Sequence, residues 1–157
     1  FLCTANAKKH GFQVTIARCF AFVGPLLPLD ANYAIGNFIR DGLNGGPILV
    51  QGDGTPYRSY LYAADLAIWL WTILFKGQSG RPYNVGSEDD LSIAELGQVV
   101  ANELSPKASV TIVGKPAASQ FANRYVPSTK RAKMELGLES WIPIKEAIHR
   151  TVKFNIR

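Results

Sequence analysis

Three short segments carry more arginine, glycine and aromatic side chains than packing alone requires. They are Arg18-Cys19-Phe20-Ala21-Phe22-Val23-Gly24-Pro25, then Gly52-Asp53-Gly54 followed by Arg58-Ser59-Tyr60-Leu61-Tyr62 and Asp65, and finally Tyr83-Asn84-Val85-Gly86-Ser87. The chemistry within their reach is the binding of an anion. Arg58 follows a glycine turn and opens an alternating run, which could aim its guanidinium into a cleft. A planar guanidinium suits bidentate recognition of phosphate. The plain alternative for Arg58 is a surface ion pair. The first segment reads as a strand running into a glycine–proline turn, and ligands of open α/β sheets gather at the carboxyl ends of strands.

Groups that would transform a ligand are missing from this sequence. It has no glycine-rich dinucleotide loop and no P-loop. Two cysteines and two histidines are too few for a metal site of ordinary spacing. His10 and His149 read as surface residues, at a helix end and on the last helix. No serine is flanked as a nucleophile elbow. No catalytic residue is therefore assigned in this chain.

The elements that must position the three segments follow from periodicity and punctuation. Residues 1–11 read as the last turns of a helix with a glycine stop, and a helix entered part-way suggests a truncated chain. Residues 12–20 form a buried, parallel strand with Cys19 as a small core residue. Residues 26–32 are a loop. Residues 33–43 are a helix, for which Asn32 is a good N-cap. Residues 48–51 and 57–62 are extended, around a turn at Gly52-Asp53-Gly54. Residues 63–76 form a helix with apolar residues on most faces, expected to be largely buried, and Asp65 there suits the helix dipole. Residues 82–85 and 109–113 are strands. Ser92 and Glu95 form a capping box for a helix reaching about Leu104. Residues 115–123 are the most loop-like. Ser128 caps a helix to Leu136, and Pro143 starts the last one. The alternation of strand and helix is that of an α/β fold.

The net charge is +5, which only weakly favours an anionic partner. The cluster Arg124, Lys130, Arg131 and Lys133 reads as a solvated helix face. No basic stripe interleaved with aromatics is present, so nucleic acid is not an expected partner. Residues 66–75 are the longest apolar helix candidate, too short to span a bilayer, and reduced, cytoplasmic thiols are the default.

The ordered set Arg18–Phe20/Val23-Gly24-Pro25, Gly52-Asp53-Gly54/Arg58-Ser59-Tyr60-Leu61-Tyr62/Asp65-Leu66-Ala67, Tyr83-Asn84-Val85-Gly86-Ser87 and the late Glu135-Leu136-Gly137 resembles the extended short-chain dehydrogenases/reductases. More narrowly, it resembles their NAD-dependent epimerase/dehydratase family, which acts on nucleotide sugars. The resemblance implies a partial Rossmann-like fold, its C-terminal strands, interleaved with a smaller α/β substrate-binding lobe over residues 1–157. It implies that the NAD or NADP loop and the catalytic Tyr-x-x-x-Lys lie in an absent N-terminal half. The chain is then the nucleotide-sugar-binding portion of an epimerase- or dehydratase-like enzyme, inactive alone, from a whole protein that can be a homodimer. The rival reading is a non-catalytic nucleotide-binding or interaction module on the same fold.

Residue by residue, the resemblance places Arg58 on the nucleotide diphosphate and Arg124 as a second arginine near it. Leu49 and Gln51 would lie along the base and ribose. Asn32 and Tyr33 would touch the sugar diphosphate, with Asn37 farther along that helix. Cys19 and Phe20 would lie near the nicotinamide, with core packing as their alternative. Tyr83, Asn84 and Gly86 have a mainly structural role. Three positions depart from the family's pattern. Ala21 stands where an asparagine that contacts substrate is usual, Val23 where a tyrosine is usual, and Ser59 where an aspartate is usual.

Overall fold

The glycine stop after the first helix forms as its sequence demands. The computed structural model describes residues 1–104, 108–115 and 122–156, and in it α1 (Leu2–His10) ends at Gly11. Gly11 has φ 71°, and its N–H donates to the Ala7 carbonyl. Left-handed backbone at that position costs glycine nothing.

Beyond it run β1 (Ile16–Cys19), β2 (Phe22–Val23), α2 (Ala34–Leu43) and β3 (Ile48–Val50). They are followed by β4 (Tyr57–Ser59), β5 (Leu61–Tyr62), α3 (Ala63–Lys76), β6 (Pro82–Val85) and β7 (Asp90–Ser92). The order closes with α4 (Ile93–Leu104), β8 (Val110–Ile112), β9 (Arg124–Tyr125), α5 (Lys130–Leu136) and α6 (Ile144–Asn155). Strand pairs β1–β6, β2–β5, β3–β8 and β4–β9 are parallel, while β4–β7 is antiparallel. This is the mixed α/β, Rossmann-like architecture expected of the alternation. The loop expected over residues 115–123 lies mostly outside the described residues.

Two apolar cores share one seam. The larger gathers Ile35, Phe38 and Ile39 of α2, Val50 of β3, Leu96 and Val100 of α4, and Ile148 of α6. The smaller gathers Trp69 and Ile73 of α3 with Tyr83 and Val85 of β6 and Leu138. The short β2–β5 pair lies between them. Because side chains alternate across a strand, Val23 and Tyr62 enter the larger core while Phe22 and Leu61 turn to the smaller.

The capping box at α4 is built as expected: Ser92 N–H donates to Glu95 Oε2 at 2.8 Å, and Glu95 N–H donates to Ser92 Oγ at 3.2 Å. The Ser92 N–H beside Glu95 also holds its carboxyl below the usual range. Gly24 begins a tight turn in which Leu27 N–H donates to its carbonyl at 3.2 Å. Pro25 and Leu26 are its central residues, and Leu26 has φ 68°. This is type II geometry, whose second central position normally calls for glycine.

Four expectations are corrected. β1 is not a buried strand: Ala17, Arg18 and Cys19 are exposed, because only β6 pairs with it among the described residues. Cys19 is accordingly an exposed thiol, not a core residue, although partial shielding pushes its pKa up. α3 buries one stripe only, Asp65, Trp69 and Ile73, at the i, i+4 spacing of a single helix face. Ile68, Leu70, Trp71, Leu74 and Phe75 are exposed, with Trp71 and Phe75 stacked at 5.6 Å. At the starts of α2 and α5 the caps are Tyr33 and Thr129, without side-chain capping bonds, not Asn32 and Ser128. Glu88 serves α5 instead, accepting the Thr129 N–H at 2.6 Å.

Candidate functional site

The start of α2, the end of β3, the β4–β9 ribbon and the carboxyl end of β1 enclose a cleft of about 560 Å³. Each wall follows from a local constraint. The loop before α2 lies so close on Gly36 that a Cβ there would come within 2.8 Å of the Pro28 carbonyl. That contact sets where Asn32 and Tyr33 arrive. The turn after β3 needs Gly54 at φ 76°, and its carbonyl accepts the Ala94 N–H, fixing the start of α4 beside the ribbon. At the far wall Phe20 N–H donates to Val85 and Leu61 N–H to Ala21, so the β1 end and β5 are held together.

Arg58 extends into this cleft from β4. Its Nη1 donates to the Tyr57 carbonyl at 2.7 Å and, at 3.4 Å, to the carbonyl and side-chain oxygens of Asn123. These partners are neutral. The other arginine of the cleft, Arg40, is ion-paired to Asp41 at 2.8 Å and also donates to Asn37 Oδ1 at 3.2 Å. Among the described residues no carboxylate pairs with Arg58. The cleft thus holds one neutralised arginine and one that can serve a ligand. A charge held by neutral acceptors at a partly screened site favours an incoming anion.

Asn32, Tyr33, Asn37, Leu49 and Gln51 all line the same cleft as Arg58. Asn32, Tyr33, Leu49 and Gln51 are exposed there. Asn37 is half-buried, with its oxygen taken by Arg40. Phe20 lines the cleft, while Cys19 beside it does not. The Ala21 methyl faces the cleft where an amide would be usual for the resemblance.

Arg124 is placed differently. On β9, side chains alternate, so Tyr125 enters the cleft and Arg124 turns to the other face. There it pairs with Asp90 at 2.7 Å and lies over the Tyr57 ring at 5.5 Å. Arg18 also lies outside the cleft and lines a separate hollow with Lys130 and Arg131.

Tyr125 and Tyr60, like the ion-paired Arg40 and Asp41, are cleft residues outside the set expected from the sequence. Tyr125 stacks on Phe20, ring centroids 4.8 Å apart, and carries the Arg58 guanidinium at 5.8 Å. Tyr60 stands two residues after Arg58, with its pKa pushed up to about 12 by burial while the Arg58 charge pulls it down. The alternation Arg58–Tyr60 could have pointed to the second. Nothing in the sequence marks Tyr125, because a two-residue strand carries no readable period.

The model of the NAD dependent epimerase/dehydratase family matches residues 2–86, just over half of the chain. This chain belongs to that family. UDP-glucuronic acid decarboxylase 1 of Arabidopsis thaliana is 32% identical over 145 residues, which are 92% of this chain and 33% of the relative. The Danio rerio enzyme of the same name is 27% identical over 153 residues, 98% of this chain and 36% of the relative. Among solved structures, dTDP-glucose 4,6-dehydratase of Streptomyces venezuelae with NAD and TYD bound matches 99% of this chain at TM-score 0.81 and 25% identity. A UDP-glucose 4-epimerase of Thermotoga maritima shares the fold, at TM-score 0.80 and 20% identity. The chain spans about a third of the length of these curated relatives and about half that of the structures.

Proposed function

We propose that this chain is the nucleotide-sugar-binding part of an NAD-dependent epimerase- or dehydratase-like enzyme, and that Arg58 holds the ligand's diphosphate. The observation that carries this reading is the Arg58 guanidinium, which lines the cleft and, among the described residues, is held by neutral acceptors only. The named relatives support it through what their ligands share. UDP-glucuronic acid and dTDP-glucose both join a sugar to a nucleoside diphosphate. Leu49 and Gln51 flank the position for base and ribose, and Asn32, Tyr33 and Asn37 the opposite wall. Arg124 faces away from this cleft, so the diphosphate rests on Arg58.

The fit to NAD or NADP is partial. Phe20 offers an apolar ring at the carboxyl end of β1, suited to a nicotinamide edge, and the exposed Cys19 adjoins it. No glycine-rich loop for the cofactor's phosphates occurs in these 157 residues. In the whole enzyme the bound cofactor would accept hydride from a sugar carbon. The residues here bind and orient the sugar nucleotide and exclude water from one side. Without a general base or cofactor loop, the chain alone turns over no sugar nucleotide.

Calorimetric titration of UDP or dTDP against the 157-residue chain and its Arg58→Ala variant tests the assignment. A loss of affinity of ten-fold or more in the variant is expected. Equal affinities would remove Arg58 from the site. Turnover of a sugar nucleotide by the chain with added NAD would overturn the binding-only role.

A further inference from the structure

Tyr60 lines the cleft, and core packing accounts for its ring but not for its hydroxyl. It occupies the break between β4 and β5, where Leu61 N–H is already bonded to Ala21. Its ring packs against the larger core, which limits its freedom to swing. The hydroxyl has no hydrogen-bond partner among the described residues, and it is not one of the buried unpaired oxygens. A phenol whose ring is fixed by the core and whose oxygen is unpartnered at a cleft wall is available to a ligand. A phenol is protonated at neutral pH in any case, and burial only moves its pKa further up, to about 12, so the hydroxyl stands as a donor.

Arg58 lies two residues before it and lines the same cleft. The two side chains therefore present a charged donor and a neutral donor side by side. Their shared complement is a group with adjacent acceptor oxygens and no protons to give. Arg124 is not available for that second role, since it is paired with Asp90 on the other face. We propose that the Tyr60 hydroxyl is the second donor to the diphosphate held by Arg58, so that one arginine and one phenol clamp the anion. This rests on the reading of Arg58 given above.

The test compares UDP and inorganic pyrophosphate as probes against the full chain and its Tyr60→Phe and Arg58→Ala variants. Tyr60→Phe is expected to weaken both probes by about ten-fold, the worth of a hydrogen bond to a charged acceptor. Its thermal midpoint should match the parent chain, since the hydroxyl removed had no partner. It should leave the ionic-strength dependence of binding unchanged, because no charge is lost, whereas Arg58→Ala should flatten it. Tyr60→Phe binding both probes like the parent, while Arg58→Ala weakens, would overturn the clamp and leave the Arg58 reading intact. Neither variant weakening would overturn both. Loss for UDP but not pyrophosphate would put the hydroxyl on the nucleoside and overturn the diphosphate clamp. Should Tyr60→Phe fail to fold, pyrophosphate added to the parent chain must shift its tyrosine absorbance; an unshifted spectrum with saturating pyrophosphate would overturn the proposal.

Discussion

Arg58 and Tyr125 are register partners across the parallel β4–β9 pair, with the guanidinium carbon 5.8 Å from the ring centroid. One position earlier, Tyr57 and Arg124 are partners with the roles exchanged, the Arg124 guanidinium lying 5.5 Å from the Tyr57 ring. The ribbon therefore carries an arginine–tyrosine pair on each face. Of these two arginines, only Arg124 is paired to a carboxylate among the described residues, Asp90 at 2.7 Å. An aromatic ring orients a guanidinium without neutralising it. Among the described residues the Arg58 charge is thus left without a counter-charge, while that of Arg124 is neutralised within the fold.

Replacing the ring should loosen Arg58 without removing it. Tyr125→Leu is expected to weaken UDP binding by about two- to five-fold, corresponding to about 0.5–1 kcal/mol for an exposed cation–π pair. Tyr125→Phe keeps the ring and should restore most of the affinity. Isothermal titration of the two variants side by side checks this, and equal losses in both would point to the hydroxyl instead of the ring.

Arg124→Ala should leave UDP affinity within about two-fold and lower stability by about 1–3 kcal/mol, the cost of leaving a buried acceptor without its partner. The Arg124 side chain is 59% exposed but that of Asp90 only 17%, so the carboxylate is the partner that suffers from the loss. Urea unfolding gives the second figure. A ten-fold loss of UDP affinity would mean that Arg124 reaches the ligand by a path this ribbon geometry does not provide.

Asp65 is the buried charge whose loss should cost most. It is 3% exposed, and its Oδ2 accepts the N–H groups of Trp141 at 3.1 Å and Ile142 at 3.0 Å. It therefore pins the segment before α6 onto the start of α3. Asp65→Ala leaves two backbone donors without their acceptor and should destabilise by about 3 kcal/mol. Chemical denaturation would show the drop, and proteolysis near Trp141 should accelerate in the variant.

How much of this was legible follows from the length of each signal. The capping box at Ser92 and Glu95 spans four residues and specifies its own geometry, so α4 was readable. Glycine stops at Gly11 and Gly137 were readable for the same reason: both adopt left-handed φ, 71° and 66°. Asp65 was seen as a helix-start acid. Its tie to Trp141 and Ile142 crosses some 75 residues of chain and leaves no local mark. The exposure of Trp71 and Phe75 was invisible because an all-round apolar helix has no preferred face to read. At the ribbon, one residue of register decides whether Arg124 or Tyr125 meets the cleft, and a strand of two residues cannot declare its register.

Stability in acid should depend on Glu88 in a definite direction. Its carboxylate accepts the Thr129 N–H at 2.6 Å and the Lys133 ammonium at 3.0 Å, bracing the start of α5. The Thr129 backbone N–H foremost, with Lys133 in support, holds its pKa below the ordinary carboxylate value of 4.5. A depressed folded-state pKa means that the unfolded chain takes up the proton first as pH falls. The stabilising contribution is therefore fully present above about pH 5, and it is lost as pH drops through the folded-state value. Glu88→Gln removes the charge at every pH. The parent chain should exceed the variant in urea midpoint at pH 7, and the gap should close as pH falls below the folded-state value. Because Glu88 is largely solvent-exposed, the gap should also narrow in high salt. A gap that stays constant from pH 7 down to acid unfolding would assign the α5 brace to shape and hydrogen bonding alone, with no part played by the charge.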